Sequence, residues 1–127
     1  MLSDDKIREL LKVEYECGKY NCYWLVKEVS KEVGIELPNY DGPEDNTLLR
    51  QVIDGSYIQF EELEKPEPYC VVLFRFRLPI VTHIGIVMED CQRFMHLLQR
   101  RNVAIERLDH PLWSKKIKGY YRWNKKS

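Results

Sequence analysis

No apolar run in this chain approaches the roughly 18 residues needed to span a bilayer. Met1 to Lys12 is charged and amphipathic, without the apolar core of a secretory leader. Neither membrane insertion nor leader-directed export is expected, and the protein is expected to be cytoplasmic when made. Glycine and proline are sparse, six of each, and no tract rich in Gly, Ser, Gln, Asn or Pro occurs, which excludes a flexible tail or a fibrous repeat. Cysteine occurs four times (Cys17, Cys22, Cys70 and Cys91) without a paired Cys-x-x-Cys arrangement, so neither a disulfide framework nor a structural zinc site is indicated. Net charge is also absent, 20 Lys and Arg against 20 Asp and Glu, which argues against a dedicated polyanion binder.

What is present suits one core. With 44% hydrophobic residues over 127 positions, the chain can bury roughly two-thirds of its unfolded surface, so a single domain over residues 1–127 is expected. The neutral total conceals an asymmetry: residues 1–69 carry a net charge of −8 and residues 70–127 a net charge of +8. The two halves are expected to attract each other in the fold; gathered on one face, the basic half would instead meet an anionic surface such as a cell wall or nucleic acid.

Ser3, followed by Asp4 and Asp5, reads as the cap of a short amphipathic helix carrying Ile7, Leu10 and Leu11. After a break at Gly18, Asn21 stands as a second cap, ahead of Cys22, Leu25, Val26, Val29 and Val33 at helical spacing, and Gly34 stops the run. Pro38 to Asp45 reads as a loop and Thr47 to Asp54 as a third helix. Beyond residue 57 the period becomes strand-like, with candidates at Tyr57 to Phe60, Tyr69 to Arg77, His83 to Met88, Phe94 to Gln99, Val103 to Leu108 and Gly119 to Trp123. Helices first and strands second predict an α+β domain, a helical layer on a mostly antiparallel sheet.

Cys22 is the most informative residue, because a thiol in the first turn of a helix feels the positive end of the dipole and the N–H groups there. By itself it also fits a small core residue. His83 and His96 lie on adjacent candidate strands, and the interval between them suits a hairpin in which two imidazoles lie side by side. Such a pair can hold one ring in the tautomer that takes a proton from a thiol; it also fits two half-buried histidines satisfied by the backbone. Gly85 leaves room beside the ring. A zinc site made of Cys22, His83 and His96 is chemically possible, but the spacing contains no short-range ligand pair and no metal is assigned. His110 reads as a surface residue in a turn.

These residues, in this order, resemble the NlpC-type cell-wall peptidases, a papain-like family of cysteine endopeptidases that cleave peptidoglycan stem peptides. Asn21-Cys22-Tyr23-Trp24-Leu25-Val26 is similar to the family's Asp-Cys-Ser-Gly-Leu-Val, and His83-Ile84-Gly85-Ile86-Val87 to its His-Val-Gly-Ile-Tyr. Phe94-Met95-His96 resembles Phe-Ile-His-Ala, and Leu108-Asp109-His110-Pro111-Leu112-Trp113 resembles Leu-x-Asp-Pro-Tyr-Trp. The resemblance implies a papain-like fold with Cys22 as nucleophile, His83 as general base and His96 orienting it. It further implies a peptidoglycan peptide as substrate, contacts from Tyr15, Tyr23 and Trp24, and no metal or organic cofactor.

The departures have consequences of their own. Asn21 in place of Asp keeps the cap and removes a negative charge, while Tyr23 and Trp24 in place of Ser-Gly would make the cleft floor bulkier. Bulky residues after the cysteine resemble the phage-tail-associated branch of the family, which implies tail proteins as partners and a place in the virion. They also motivate a second reading, a catalytically inactive structural or assembly domain of a phage tail with the same fold. The basic stretch Lys115 to Lys126, interleaved with Tyr120, Tyr121 and Trp123, reads as a strand with a solvated flank, and nucleic-acid binding is not expected.

Overall fold

The computed structural model describes residues 2–17, 19–37, 60–75 and 83–123. The expected loop from Pro38 to Asp45, the helix from Thr47 to Asp54 and the break at Gly18 lie outside them. The described elements run α1 (Asp4–Leu10), α2 (Cys22–Glu32), β1 (Phe60–Leu63), β2 (Val71–Phe74), β3 (His83–Val87), β4 (Arg93–His96), β5 (Ala104–Arg107), α3 (Pro111–Ser114) and β6 (Ile117–Trp123). The strands form one sheet in the order β1-β6-β2-β3-β4-β5, and every neighbouring pair is antiparallel. This is the α+β architecture expected from helices followed by strands. No helix among the described residues is long and apolar enough to cross a membrane.

Both long-range helices start where short polar side chains can satisfy the first turn. Ser3 Oγ accepts from the Lys6 N–H at 3.1 Å, and Asn21 Oδ1 accepts from the Trp24 N–H at 2.8 Å. At its C-terminus α2 closes with a pair of reversed bonds, Ile35 N–H to Ser30 O at 2.8 Å and Gly34 N–H to Lys31 O at 3.1 Å. That turn needs a left-handed residue, and Gly34 supplies it with φ +89°. Along α2, Tyr23, Leu25, Val26, Val29 and Ser30 face inward as one stripe.

Strand alternation then sorts the sheet into two faces. Val71, Leu73, Ile84, Ile86, Met95, Leu97 and Tyr121 form a core with the inward stripe of α2 and with Leu10 of α1. Val72, Phe74, Val87 and Phe94 point the other way and pack with Cys70, Leu108 and Trp113 of α3. Covered on both sides, β3 is buried along its whole length.

Two sequence readings change. The candidate strand Tyr57 to Phe60 falls outside the described residues except for its last position, and β1 instead continues through Glu61 and Glu62. Those acidic residues are drawn into a strand by what lies across from them: Glu61 faces Arg122 in the ladder, and the Arg122 guanidinium also reaches Glu67 at 3.2 Å. The same arginine joins the acidic and basic halves of the chain, although its exposure limits the stabilisation to under about 1 kcal/mol. The segment at His110, expected as a turn, initiates α3: Pro111 occupies the first helical position, and the exposed His110 caps it by accepting the Leu112 N–H at Nδ1, 3.1 Å away.

Gly85 sits where β4 lies close against β3. A Cβ there would lie 3.1 Å from the Met95 carbonyl oxygen, 3.3 Å from the Phe94 ring and 3.4 Å from the His96 Cβ. The room it leaves is thus taken by the neighbouring strand. Gly85→Ala is expected to destabilise the protein by about 1–3 kcal/mol through overpacking, seen as a lower urea midpoint at unchanged slope. An unchanged midpoint would show that this contact does not set the β3–β4 spacing.

Candidate functional site

The hairpin of β3 and β4 brings His83 and His96 together. Ile86 pairs with Met95 and Val87 with Phe94, so continuing the same register sets His96 against Gly85, two residues from His83 on one face of the sheet. His83 Nε2 lies 2.9 Å from His96 Nδ1, with the rings inclined at 66°. Exposure is negligible, 3% for His83 and 1% for His96. Aromatic rings box the pair: Phe74 against His83 at 5.6 Å, and Phe94 and Trp113 each 4.8 Å from His96.

Burial governs the protonation of both rings. It pushes His83 down to about 3, with the neighbouring His96 adding to the shift. His96 is also lowered, chiefly by burial and further by Arg101, against an opposing pull from the Glu106 carboxylate, whose Oε2 lies 3.3 Å from His96 Nε2. At neutral pH the two imidazoles are therefore uncharged, and His83 has a lone pair with which to act as a base. The nitrogens that face each other are engaged with one another rather than converging on an ion. Among the described residues, no group of three or more His, Cys, Asp or Glu is placed to hold a metal.

Cys22 is the first residue of α2, half-buried and packed against the core beneath that helix. Its N–H and that of Tyr23 lie ahead of the first intrahelical bond, Leu25 N–H to Asn21 O at 3.2 Å, in the turn where the dipole is most positive. The chain before α2 is tied down as well. Glu14 bridges Asn102, the Tyr15 N–H reaches Arg101 O at 2.9 Å, and the strand doubles back through a Glu16–Tyr20 bridge. Arg101 to Val103 follow the end of β4 that carries His96, which is also the end at which β3 begins with His83. The start of α2 thus lies toward the same end of the sheet as the imidazole pair, whose rings occupy the face opposite the one that α2 covers.

Of the expected substrate contacts, Tyr15 and Trp24 are half-buried, Trp24 with its ring 4.7 Å from that of Tyr20. Tyr23 requires correction. It is only 2% exposed and belongs to the inward stripe of α2, so its ring supports the helix from below and has no surface to offer a peptide. The remaining cysteines are distinguishable from Cys22. Cys70 is buried, which pushes its thiol up to about 12, while Cys17 is exposed and Cys91 sits in the β3–β4 turn. A cavity of about 470 Å³ opens beside that turn, lined by Pro66, Cys91, Gln92, Arg107, Leu108, Asp109 and Tyr120, and contains none of the expected site residues.

Glu106 is the site residue that sequence reasoning passed over. Its strand had been anticipated, but only the pairing of β5 with β4, with Ala104 opposite His96 and Glu106 opposite Phe94, shows that its side chain shares a face with His96.

The sequence matches no protein-family model, and no curated protein matches it. Among solved structures it is similar to a crystal structure from Staphylococcus aureus subsp. aureus Mu50 described as "similar to lipoprotein, NLP/P60 family". The TM-score is 0.63 at 20% sequence identity, covering 94% of this chain and 39% of the staphylococcal one. At that identity the likeness is one of fold: the papain-like α+β arrangement that the family resemblance implied is shared with an NLP/P60-family protein, along about two-fifths of that protein's length.

Proposed function

We propose that this chain is a thiol hydrolase of the NlpC/P60 kind that cleaves an amide bond in a peptidoglycan stem peptide. The observation that carries this reading is the buried His83–His96 contact of 2.9 Å, placed at the sheet end where α2 begins with Cys22. Cys22 Sγ attacks the peptide carbonyl as His83 Nδ1, the nitrogen not facing His96, takes the thiol proton. Charge builds on the carbonyl oxygen beside the Cys22 N–H at the helix start. His83 passes its proton to the leaving amine, then draws one from a water that releases the acyl group and restores the thiol. The basic second half of the chain favours approach of the carboxylates that wall peptides carry.

Cys22→Ala is expected to bring cleavage of isolated stem peptides to background, and His83→Ala to slow it by roughly 10³-fold or more, with thermal unfolding of Cys22→Ala close to that of the parent. Cleavage that survives Cys22→Ala would refute the reading. A folded parent protein that cleaves no stem peptide and whose Cys22 resists alkylation would favour the alternative, an inactive tail-assembly domain.

A neutral His83 also has a thermodynamic signature. It binds a proton near pH 3 when folded and near the ordinary 6.5 when unfolded. Between those values the unfolded chain holds more protons, so the stability is complete above about pH 6.5 and is lost as the pH falls. The expected slope for this one group is up to about 1.4 kcal/mol per pH unit. Denaturant titrations from pH 7 to pH 4 should show it, and His83→Gln should flatten it; an equal slope in both proteins would contradict a neutral, buried His83.

A further inference from the structure

We propose that Glu106 is a positioning residue that fixes which nitrogen of each imidazole carries the proton, and so makes Nδ1 of His83 the base; this rests on the thiol-hydrolase reading of the site. An ionised carboxylate can only accept a hydrogen bond. With Glu106 Oε2 at 3.3 Å, the single hydrogen of neutral His96 belongs on Nε2, which leaves His96 Nδ1 as an acceptor. His83 Nε2, 2.9 Å away, then donates to it and carries the one hydrogen of that ring. His83 Nδ1 is left with its lone pair. In the opposite arrangement His96 Nδ1–H donates to His83 Nε2, the His83 hydrogen moves to Nδ1, and no lone pair remains for the thiol proton.

The contacts separate this role from simple support. Phe94 and Trp113 already hold the His96 ring in place, so Glu106, whose side chain is 35% exposed against 1% for His96, is not needed to seat it. What the aromatic rings cannot supply is a preference between the two nitrogens. During attack the thiol proton moves to His83 Nδ1, the resulting imidazolium still donates from Nε2 to His96 Nδ1, and no proton passes to Glu106. Its charge then stabilises an imidazolium that is otherwise disfavoured by burial.

Side-chain nitrogen NMR of the full chain at pH 7 reads the proton positions without any substrate. The parent protein is expected to carry the hydrogen on Nε2 of both His83 and His96. In Glu106→Ala and Glu106→Leu, a population with His96 Nδ1–H is expected, together with a roughly 10- to 100-fold lower kcat at similar KM. Hydrogen on His83 Nδ1 in the parent would overturn the proposal, as would unchanged proton positions in both variants. Should neither variant fold, the parent spectrum still decides. Glu106-dependent proton positions in a protein that cleaves no peptide would uphold this wiring while refuting the hydrolase reading.

Discussion

A buried imidazole must find partners for its ring nitrogens or lose hydrogen bonds it would have made in water, at a cost of about 1–3 kcal/mol for each group left alone. Two such rings on neighbouring strands can meet that requirement for each other, and much of this fold is arranged so that they do. The hairpin of β3 and β4 fixes the register that sets His96 beside His83, and Gly85 permits the strands to close to that distance. Phe74, Phe94 and Trp113 exclude water from the pair, which strengthens the contact and keeps both rings uncharged.

The same arrangement explains why the sheet is covered on both faces. With α1 and α2 alone, the face bearing the histidines would be wet, and the rings would titrate as ordinary surface groups. The short helix α3 delivers Trp113 to that face, and its start depends on Pro111 and on the His110 side chain rather than on any length of helical pattern. A four-residue helix is too short to show periodicity, and so His-Pro-Leu-Trp reads as a turn until the ring it carries is seen against His96. The element that sequence pattern recovers least well is thus one on which the chemistry of the histidines depends.

Other parts of the fold were legible for local reasons. Ser3 and Asn21 are short acceptors ahead of apolar stripes, and the helices they start begin where that chemistry places them. The histidine pairing followed from two strands joined by a short connection. Tyr23 was misplaced because the resemblance assigned the positions after Cys22 to a cleft floor, whereas helical spacing aligns Tyr23 with Val26 and Ser30 on the inward stripe. Glu61 enters a strand opposite Arg122 and Glu62 opposite Tyr121, some 60 residues away in the chain, and no local propensity announces that. Glu106 belongs with these: its face follows from local alternation, but its neighbour follows only from register.

On the proposed reading, the site contains little formal charge at rest. The cap at Asn21 is 6% exposed, where a carboxylate would be expensive to bury and would repel a developing thiolate on the next residue; an amide gives the same bond to the Trp24 N–H without either penalty. The histidines are neutral, and the Glu106 carboxylate lies at the half-exposed margin. Charge separation therefore occurs within the reaction itself, between a sulfur at the positive end of a helix and an imidazole backed by a second imidazole and a carboxylate. Fixed dipoles already point toward both charges as they form, so little reorganisation is needed when the proton moves. An uncharged imidazole pair also lets the hydrophobic packing around it stay dry, which is the condition under which those dipoles act most strongly.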